Sequence, residues 1–269
     1  MSKIALLSDI HANLPAFEAV LGDVRASGAE QIVFLGDLVG YGASPAACVA
    51  LVRTLGGACV MGNHDVEIRN VRKRGCTFRD PAWPQSGYLA GLAHAARCLD
   101  VAQAEWLAAL PYHLKIPGAH VAHASLDVPE AFASIEDAAS AGPTLAILRQ
   151  EKLKVGFFGH THLTGIFADV PEALEWLDPA RVKIPKGMAC AVTVGSVGQP
   201  LHPSDRRAAW ALWAPEAGVV EYRKTPYSSL QAAREIVAAG LPLESALKLL
   251  TDDEMAVLLP TMRSSTGPF

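Results

Sequence analysis

The sequence predicts an α/β protein in which two mixed β-sheets pack as a sandwich, with helices on the outer faces, a helical insertion and a helical C-terminal tail. Strand-like apolar runs alternate with helical segments over residues 3–61, and this β-α-β-α-β alternation indicates a parallel core. Four later strand-like runs are separated by turns, which favours antiparallel pairing in a second sheet. These runs lie at 163–169, 188–194, 207–213 and 218–223.

The first elements follow from the pattern of apolar residues. We expect strands over residues 3–8, 31–35 and 58–61, with helices over 13–26 and 44–54 between them. Asn13 is a suitable cap for the first helix, and Pro15 stands in its first turn, where the missing N–H of proline does no harm. Pro45 occupies the same place in the second helix. Each helix therefore has a defined start between two strands.

The rest of the chain divides into an insertion, a return to the core and a tail. Residues 66–110 indicate a helical insertion, with helices near 86–98 and 101–109 and a loop over 75–84. Strands near 112–116 and 119–122, a helix near 143–150 and a strand over 154–158 return to the core. We therefore expect a main domain over residues 1–225 and a helical extension over 226–269, which acts as a surface clasp or as a contact in a homo-oligomer.

The composition excludes several classes of protein. The chain has 269 residues, of which 51 % are hydrophobic, and a net charge of −4. This balance lacks the basic face of a nucleic-acid-binding protein, and no apolar run is long enough to span a membrane. Five scattered cysteines outside any metal-binding motif fit a reducing compartment, and a strand that begins by Ile4 leaves no room for a signal peptide. We expect a cytoplasmic protein.

Five short segments place Asp, Asn and His directly after strand-like runs. They are Asp9-Ile10-His11, Gly36-Asp37, Gly62-Asn63-His64-Asp65, His123 and Gly159-His160-Thr161-His162. Polar side chains at the carboxyl ends of buried strands converge on one crevice of an α/β sheet. The order of these segments therefore predicts a site built from distant parts of the sequence.

The residue types indicate a centre with two metal ions. Asp oxygens and His nitrogens suit Mn, Fe, Co, Ni or Zn, and we take Mn as the first choice. One Asp that bridges two ions holds them about 3.5–4 Å apart, which is the spacing in two-metal phosphoester hydrolases. With two carboxylates and a bound hydroxide the centre keeps a net positive charge, which attracts a phosphate ester.

The ordered set D-x-H, G-D, G-N-H-D, H and G-H-x-H resembles the calcineurin-like metallophosphoesterase superfamily, over residues 4 to about 213. The segments 8–14 and 195–200 are similar to its compact bacterial and archaeal phosphodiesterase-like group. The Ser/Thr protein phosphatases differ, because their second motif ends in D-R-G and here Leu38 and Val39 follow Asp37. The compact group commonly has a Gly where Ala124 stands and an Arg where Leu201 stands.

The resemblance implies a role for each motif residue. One metal ion is held by Asp9, His11 and His162, and the other by Asn63, His123 and His160. Asp37 bridges the two ions. His64 faces the substrate, where it stabilises the phosphoryl oxygens or protonates the leaving group. The adjacent Asn63 and His64 cannot easily both point at one ion, which supports the same division.

These residues predict a metal-dependent phosphoester hydrolase in which a bridging hydroxide attacks phosphorus. The expected substrate is a nucleotide-like or small phosphodiester, and a small phosphomonoester is the alternative. A non-catalytic binding module of the same fold and a DNA-processing nuclease are rival interpretations. A binding module of this kind would lack some of the motif residues, and a nuclease would have a basic surface. Tyr41, His202 and Arg207 are candidate substrate contacts, and Tyr41 either stacks on a base or packs its own loop.

Overall fold

The computed structural model describes residues 2–75, 86–168, 175–178, 180–201 and 205–265, with only the backbone at 175–178 and 261–265. Within these ranges the strands are β1 Ile4–Leu7, β2 Gln31–Phe34, β3 Ala58–Cys59, β4 His113–Ile116, β5 Ala119–Ala122, β6 Val155–Phe158, β7 Thr164–Ala168, β8 Glu175–Asp178, β9 Arg181–Lys183, β10 Cys190–Val194, β11 Ala208–Ala214 and β12 Val219–Thr225. The α-helices are α1 Leu14–Ser27, α2 Pro45–Leu55, α3 Asn63–Arg74, α4 Gly87–Cys98, α5 Val101–Ala108, α6 Ala138–Gln150, α7 Ser229–Ala238, α8 Leu243–Leu247 and α9 Asp252–Ser265. The predicted loop over 75–84 lies, beyond Gly75, outside the described residues.

The first sheet has the strand order β3-β2-β1-β11-β12-β9-β8. Its β1, β2 and β3 are parallel, as the alternation of strands and helices predicts. β11 pairs antiparallel with β1, and β12 pairs antiparallel with β11. The expectation that all four late strand-like runs form one antiparallel sheet is therefore wrong, since two of them extend the first sheet.

The second sheet has the order β4-β5-β6-β10-β7 and is also mixed. β5, β6 and β10 are parallel, whereas β4 and β7 pair antiparallel at the edges. Two mixed sheets with helices on the outside confirm the predicted fold class. Every predicted strand and helix of the main domain is present, although α6 begins at Ala138, five residues before the predicted start.

Three hydrophobic cores follow from the alternation of side chains along the strands. In β1, Ile4 and Leu6 contribute to the core between the two sheets, whereas Ala5 and Leu7 contribute to the core under α1 and α2. Phe158 and neighbouring residues of the second sheet pack beneath α6. The central strands β1, β5, β6 and β10 are therefore buried on both faces, which explains their nearly continuous apolar runs in the sequence.

The insertion and the tail pack on the same side of the molecule. In the insertion, α3 contacts both α4 and α5, and these two helices contact α2. The tail helices share a hydrophobic cluster with Ala90 of α4, in which Ala233, Ile236 and Leu249 are buried. The tail thus packs on α1 and α4 of its own chain. Among the described residues, no helix combines the length and the apolar character needed to cross a membrane.

Candidate metal centre

The predicted ligands all lie just beyond the ends of strands. Asp9 and His11 follow β1, Asp37 follows β2, Asn63 follows β3, His123 follows β5, and His160 and His162 follow β6. Because β1, β2 and β3 are parallel, and β5 and β6 are also parallel, the carboxyl ends of these strands meet at one edge of the sandwich. The structure brings all seven side chains together there.

The backbone is left-handed at five of these seven positions. Asp9, His11, Asp37, His160 and His162 have φ angles of 54°, 48°, 54°, 65° and 61°. Residues other than glycine adopt this region at a cost of about 1–3 kcal/mol, and they cluster at functional sites. The strands thus end in strained turns that hold these polar side chains at the crevice.

Asp9, His11 and His162 form the first group of candidate ligands. The Nε2 atoms of His11 and His162 lie 3.6 and 3.2 Å from Oδ1 of Asp9, and 3.0 Å from each other. Nδ1 of His11 donates to the carbonyl of Val39 at 3.2 Å, and Nδ1 of His162 donates to the carbonyl of Gln199 at 2.8 Å. In neutral rings these bonds place the proton on Nδ1, so lone pairs of the two Nε2 atoms face each other.

Asn63, His123 and His160 gather on the other side of the crevice. The amide oxygen of Asn63 lies 3.1 Å from Nε2 of His123. Nδ1 of His123 donates to the carbonyl of Leu35 at 2.6 Å, so that Nε2 again faces the crevice. The rings of His123 and His160 have centroids 5.2 Å apart. The backbone N–H of His160 donates to Oδ2 of Asp9, which ties this loop to the first group.

Asp37 lies between the two groups, as a bridging ligand must. Its Oδ2 is 3.4 Å from Nε2 of His123 and 3.8 Å from Nε2 of His11. Its Oδ1 accepts a hydrogen bond of 2.9 Å from the backbone N–H of His64. A Cβ at position 62 would overlap with this carboxylate, so Gly62 permits the close approach.

The charges and unpaired atoms of the cluster fit bound cations. Oδ1 of Asp9 is buried and accepts no hydrogen bond from the described residues. Burial raises the pKa of Asp37, but His123 and His64 outweigh it and hold that pKa below its ordinary value. Burial lowers the pKa of His123, yet Asp37 raises it to about 10. Positive charge is therefore favoured here, and the oxygen and imidazole donors suit divalent transition metals.

His64 lies beside the cluster with its Nε2 toward Asp37, at 3.8 Å from Oδ2. Burial lowers the pKa of His64 to about 3, although Asp37 opposes this shift. Its Nδ1 is buried without a hydrogen-bond partner among the described residues, and a Cβ at Gly40 would overlap with it. The proton of the neutral ring is therefore better placed on Nε2, which faces the crevice.

Comparison with known proteins identifies the family. A family model for calcineurin-like phosphoesterases matches residues 2–163, which is more than half of the chain. The chain belongs to the calcineurin-like phosphoesterase family. Members of this family depend on two metal ions, and the described residues include three groups that could hold one. The protein is therefore a phosphoesterase, and the predicted family is confirmed.

Relatives of this calcineurin-like phosphoesterase extend over nearly the whole chain. The uncharacterized protein MJ0912 of Methanocaldococcus jannaschii is 28 % identical over 250 residues, which span 90 % of this chain and 94 % of that protein. The crystal structure of a metallophosphoesterase from Sphaerobacter thermophilus is 28 % identical with a TM-score of 0.75, and the match covers 92 % of this chain and 98 % of that one. The hypothetical protein PH1004 of Pyrococcus horikoshii shares the fold at 19 % identity and a TM-score of 0.71, covering 93 % and 98 %.

Asp65 has a role in the phosphoesterase that its motif did not reveal. It is 1 % exposed, and its carboxylate accepts hydrogen bonds from the backbone N–H groups of Asp37, Leu38 and Gly62 at 2.8, 3.0 and 3.0 Å. Burial and the nearby charge of Asp37 raise the pKa of Asp65 to about 7, while the bonds from Gly62 and Leu38 oppose the shift. Asp65 thus joins the turn after β2 to the turn after β3.

The three candidate substrate contacts differ in their surroundings. The ring centroid of Tyr41 lies 4.9 Å from that of His11 and 4.8 Å from that of His64, so this side chain does border the crevice. Arg207 is exposed and donates two hydrogen bonds of 2.9 Å to Asp205, which occupies its guanidinium. His202 lies outside the described residues. All three remain predictions as substrate contacts.

Two further aromatic side chains border the crevice and had no sequence signal. The ring of Tyr88, at the start of α4, has its centroid 4.6 Å from that of His64. The ring of Phe132 has its centroid 5.9 Å from that of His123, and its backbone is left-handed with φ of 52°. Both belong to connections whose path over the site could not be inferred from local patterns.

Proposed function

We propose that the protein hydrolyses a phosphodiester, either nucleotide-like or small, at two divalent transition metal ions held by the seven residues described above. The observation that carries this proposal is the convergence of the seven side chains, with Nε2 of His64 beside them. Five of the seven belong to the groups that could hold an ion, and Asn63 and His160 contact His123. Mn is our first choice of metal, since oxygen and imidazole ligands suit it. When bound, the ions would neutralise phosphoryl oxygens and lower the pKa of the attacking water.

The side chains around the centre perform the remaining tasks. Asp9 belongs to the first group of ligands, and Asp37 lies between the two groups. The backbone carbonyls that accept hydrogen bonds from Nδ1 of His11, His162 and His123 hold each imidazole in one orientation. In the reaction the bond between phosphorus and the ester oxygen breaks as phosphorus bonds to the water oxygen. The attacking water loses a proton to solvent, and the leaving oxygen must gain one. His64 either passes a proton to that oxygen and takes one back from solvent, or donates a hydrogen bond to a phosphoryl oxygen.

The distribution of positive side chains favours a diester over a monoester. Arg207 and Lys224 are both bound to Asp205, and Arg206 donates to the carbonyl of Pro200 at 3.4 Å. No arginine or lysine of the described residues forms an ion pair with Asp9 or Asp37. A diester carries one negative charge and a monoester up to two. A centre without arginine support is therefore better matched to the diester.

The test compares hydrolysis of bis(p-nitrophenyl) phosphate with that of p-nitrophenyl phosphate by protein loaded with Mn²⁺. We expect a higher kcat/KM for the diester. A higher kcat/KM for the monoester would instead establish the alternative phosphomonoesterase function. A screen of cyclic nucleotides and short dinucleotides under the same conditions then narrows the class of substrate.

The compartment is inferred from the cysteines. Cys48, Cys59 and Cys98 are free thiols, and burial raises the pKa of Cys48 and Cys59 well above its ordinary value. Thiols of this kind fit a reducing environment such as the cytoplasm. Fractionation of cells that express the full chain tests this placement.

A further inference from the structure

One positive side chain near the centre comes from the C-terminal tail. Nζ of Lys248, at the end of α8, lies 5.8 Å from the ring centroid of Tyr41. That ring in turn contacts the rings of His11 and His64. A single aromatic ring therefore separates the ammonium group from the candidate metal centre. A cation within about 6 Å of a ring face is attracted to it, which favours this position.

Lys248 is exposed, and its charge is not neutralised by an ion pair in the described part of the chain. Two acidic side chains of the tail, Glu244 and Glu235, have hydrogen-bond partners of their own. Oε1 of Glu244 accepts a hydrogen bond of 2.6 Å from the backbone N–H of Gly87, and Oε1 of Glu235 accepts one of 2.9 Å from Gln231. The ammonium of Lys248 is therefore available to a ligand, whereas that of Lys224 donates a hydrogen bond to Asp205.

The backbone that carries Lys248 is held firmly. Ser245 is 1 % exposed and packs so closely on α4 that a Cβ at Gly87 would overlap with its hydroxyl oxygen. Leu249 and Leu250 are buried in the cluster that joins the tail to α4. The residue after Gly87 is Tyr88, which contacts both Tyr41 and His64. The tail and the insertion thus form one wall of the crevice.

We propose that Lys248 binds a second anionic group of the substrate, distal to the scissile phosphate, and so selects phosphodiesters that carry an additional phosphate. This inference rests on the proposed function. Lysine is a compact point charge on a flexible stem, which suits a phosphate whose position varies between substrates. The intervening ring of Tyr41 keeps the ammonium away from the scissile group. The preferred substrate class is therefore a nucleotide ester with a further phosphate, and not the simplest diester.

The experiment uses two substrates that differ only in the distal phosphate. They are the p-nitrophenyl ester of thymidine 5′-phosphate and the same ester with an added 3′-phosphate. In Lys248→Met, which keeps most of the aliphatic stem, kcat/KM for the doubly phosphorylated ester should fall about tenfold while that for the simple ester stays unchanged. Lys248→Arg should restore most of the loss. Lys186→Met, at an exposed lysine before β10, is the matched control and should behave as wild type.

Equilibrium binding separates failure of this inference from failure of the proposed function. Calorimetry with adenosine 3′,5′-bisphosphate and with AMP should show weaker binding of the bisphosphate alone in Lys248→Met. If wild type hydrolyses both esters and Lys248→Met changes neither reaction nor binding, Lys248 has no role and the diesterase function stands. If wild type hydrolyses neither ester, the diesterase proposal fails. The calorimetry then still decides whether Lys248 recognises the distal phosphate.

Discussion

The carboxylate of Asp65 holds the backbone of Asp37, 28 residues earlier in the chain, through a hydrogen bond of 2.8 Å to its N–H group. The same carboxylate binds the N–H groups of Leu38 and Gly62. It thereby fixes two of the turns that present candidate ligands. A side chain outside the set of candidate ligands thus holds the backbone of the residue that is proposed to bridge the two ions.

Replacement of Asp65 by Asn should therefore damage both stability and metal binding. The amide nitrogen of Asn would stand where a carboxylate oxygen now accepts from an N–H group, and leaving a buried N–H donor unsatisfied costs about 1–3 kcal/mol. We expect a fall of that size in the free energy of unfolding, measured by urea denaturation, and lower metal content by elemental analysis. Asp253→Asn, at an exposed position in α9, is the control. Unchanged metal content in Asp65→Asn would show that the turns hold their shape without it.

His64→Ala should keep the metals and the fold but lose turnover by about 10²–10⁴-fold, the range for acid–base groups. If His64 protonates the leaving oxygen, the loss should be larger for an alkyl nucleotide ester than for a nitrophenyl ester, whose leaving group needs little help. An equal loss of turnover on both substrates would indicate that His64 stabilises the phosphoryl oxygens and does not protonate the leaving oxygen. A drop in metal content would make His64 a ligand, in conflict with the assignment above.

Gly40→Ala should reproduce part of the His64→Ala phenotype without removing the imidazole. The φ angle of Gly40 is +96°, and an added Cβ would overlap with Nδ1 of His64, so the ring must move. We expect reduced kcat with retained metal content. Gly142→Ala is the control, because a Cβ there meets no atom within 4 Å. Wild-type kcat in Gly40→Ala would show that the position of the ring is not critical.

The ion pairs of Asp205 predict a specific dependence of stability on pH. Its oxygens accept from Arg207 and from Lys224, and these bonds hold the pKa of Asp205 well below its ordinary value. A lowered folded-state pKa stabilises the protein above the unfolded-state pKa of about 3.9, and this contribution is lost as the pH falls from there through the folded-state pKa. Since the pair is partly exposed, Asp205→Asn should cost about 0.5–1 kcal/mol at neutral pH. The difference from wild type in urea denaturation should begin to shrink near about pH 5 and continue to shrink as the pH falls toward the folded-state pKa of Asp205. A difference that does not change with pH would show that the ion pairs are not its cause.

The candidate ligands could be predicted from the sequence because each stands directly after an apolar strand, so local pattern alone places it at an edge of a sheet. Partner choice between strands could not be predicted in this way. The run that forms β11 is apolar on both faces, and such a pattern fixes burial but does not specify whether the strand pairs with β1 or with β10. The sandwich was therefore predicted correctly, while the membership of its second sheet was not.

Other details depend on contacts between distant residues. The predicted start of α6 near residue 143 was too late, since Asp137 caps the helix and Pro143 is accommodated inside it. Asp65 is visible within its motif, but its function is to bind a backbone 28 residues away. Lys248 gives no local signal at all, because only the packing of the tail against α4 brings it over Tyr41.

The proposed bridging role of Asp37 predicts a shared loss of metal. Asp37→Asn removes the charge that lies between the two groups of ligands, so it should weaken both sites together and not one alone. Equilibrium dialysis against Mn²⁺ followed by elemental analysis checks this expectation. Asp9→Asn provides the comparison, since its carboxylate lies closest to His162 and should affect the first site more strongly. Full occupancy of both metal sites in Asp37→Asn would show that the carboxylate of Asp37 is not needed as a bridge between the two ions.

The most direct measurement titrates purified protein, stripped with a chelator, with Mn²⁺ while hydrolysis of bis(p-nitrophenyl) phosphate is followed. The seven converging side chains predict that activity is absent after chelation, rises with added metal and saturates near two bound ions per chain, as counted by elemental analysis of the same sample. Full activity after chelation, or saturation of activity at a single bound ion, would contradict the dinuclear account.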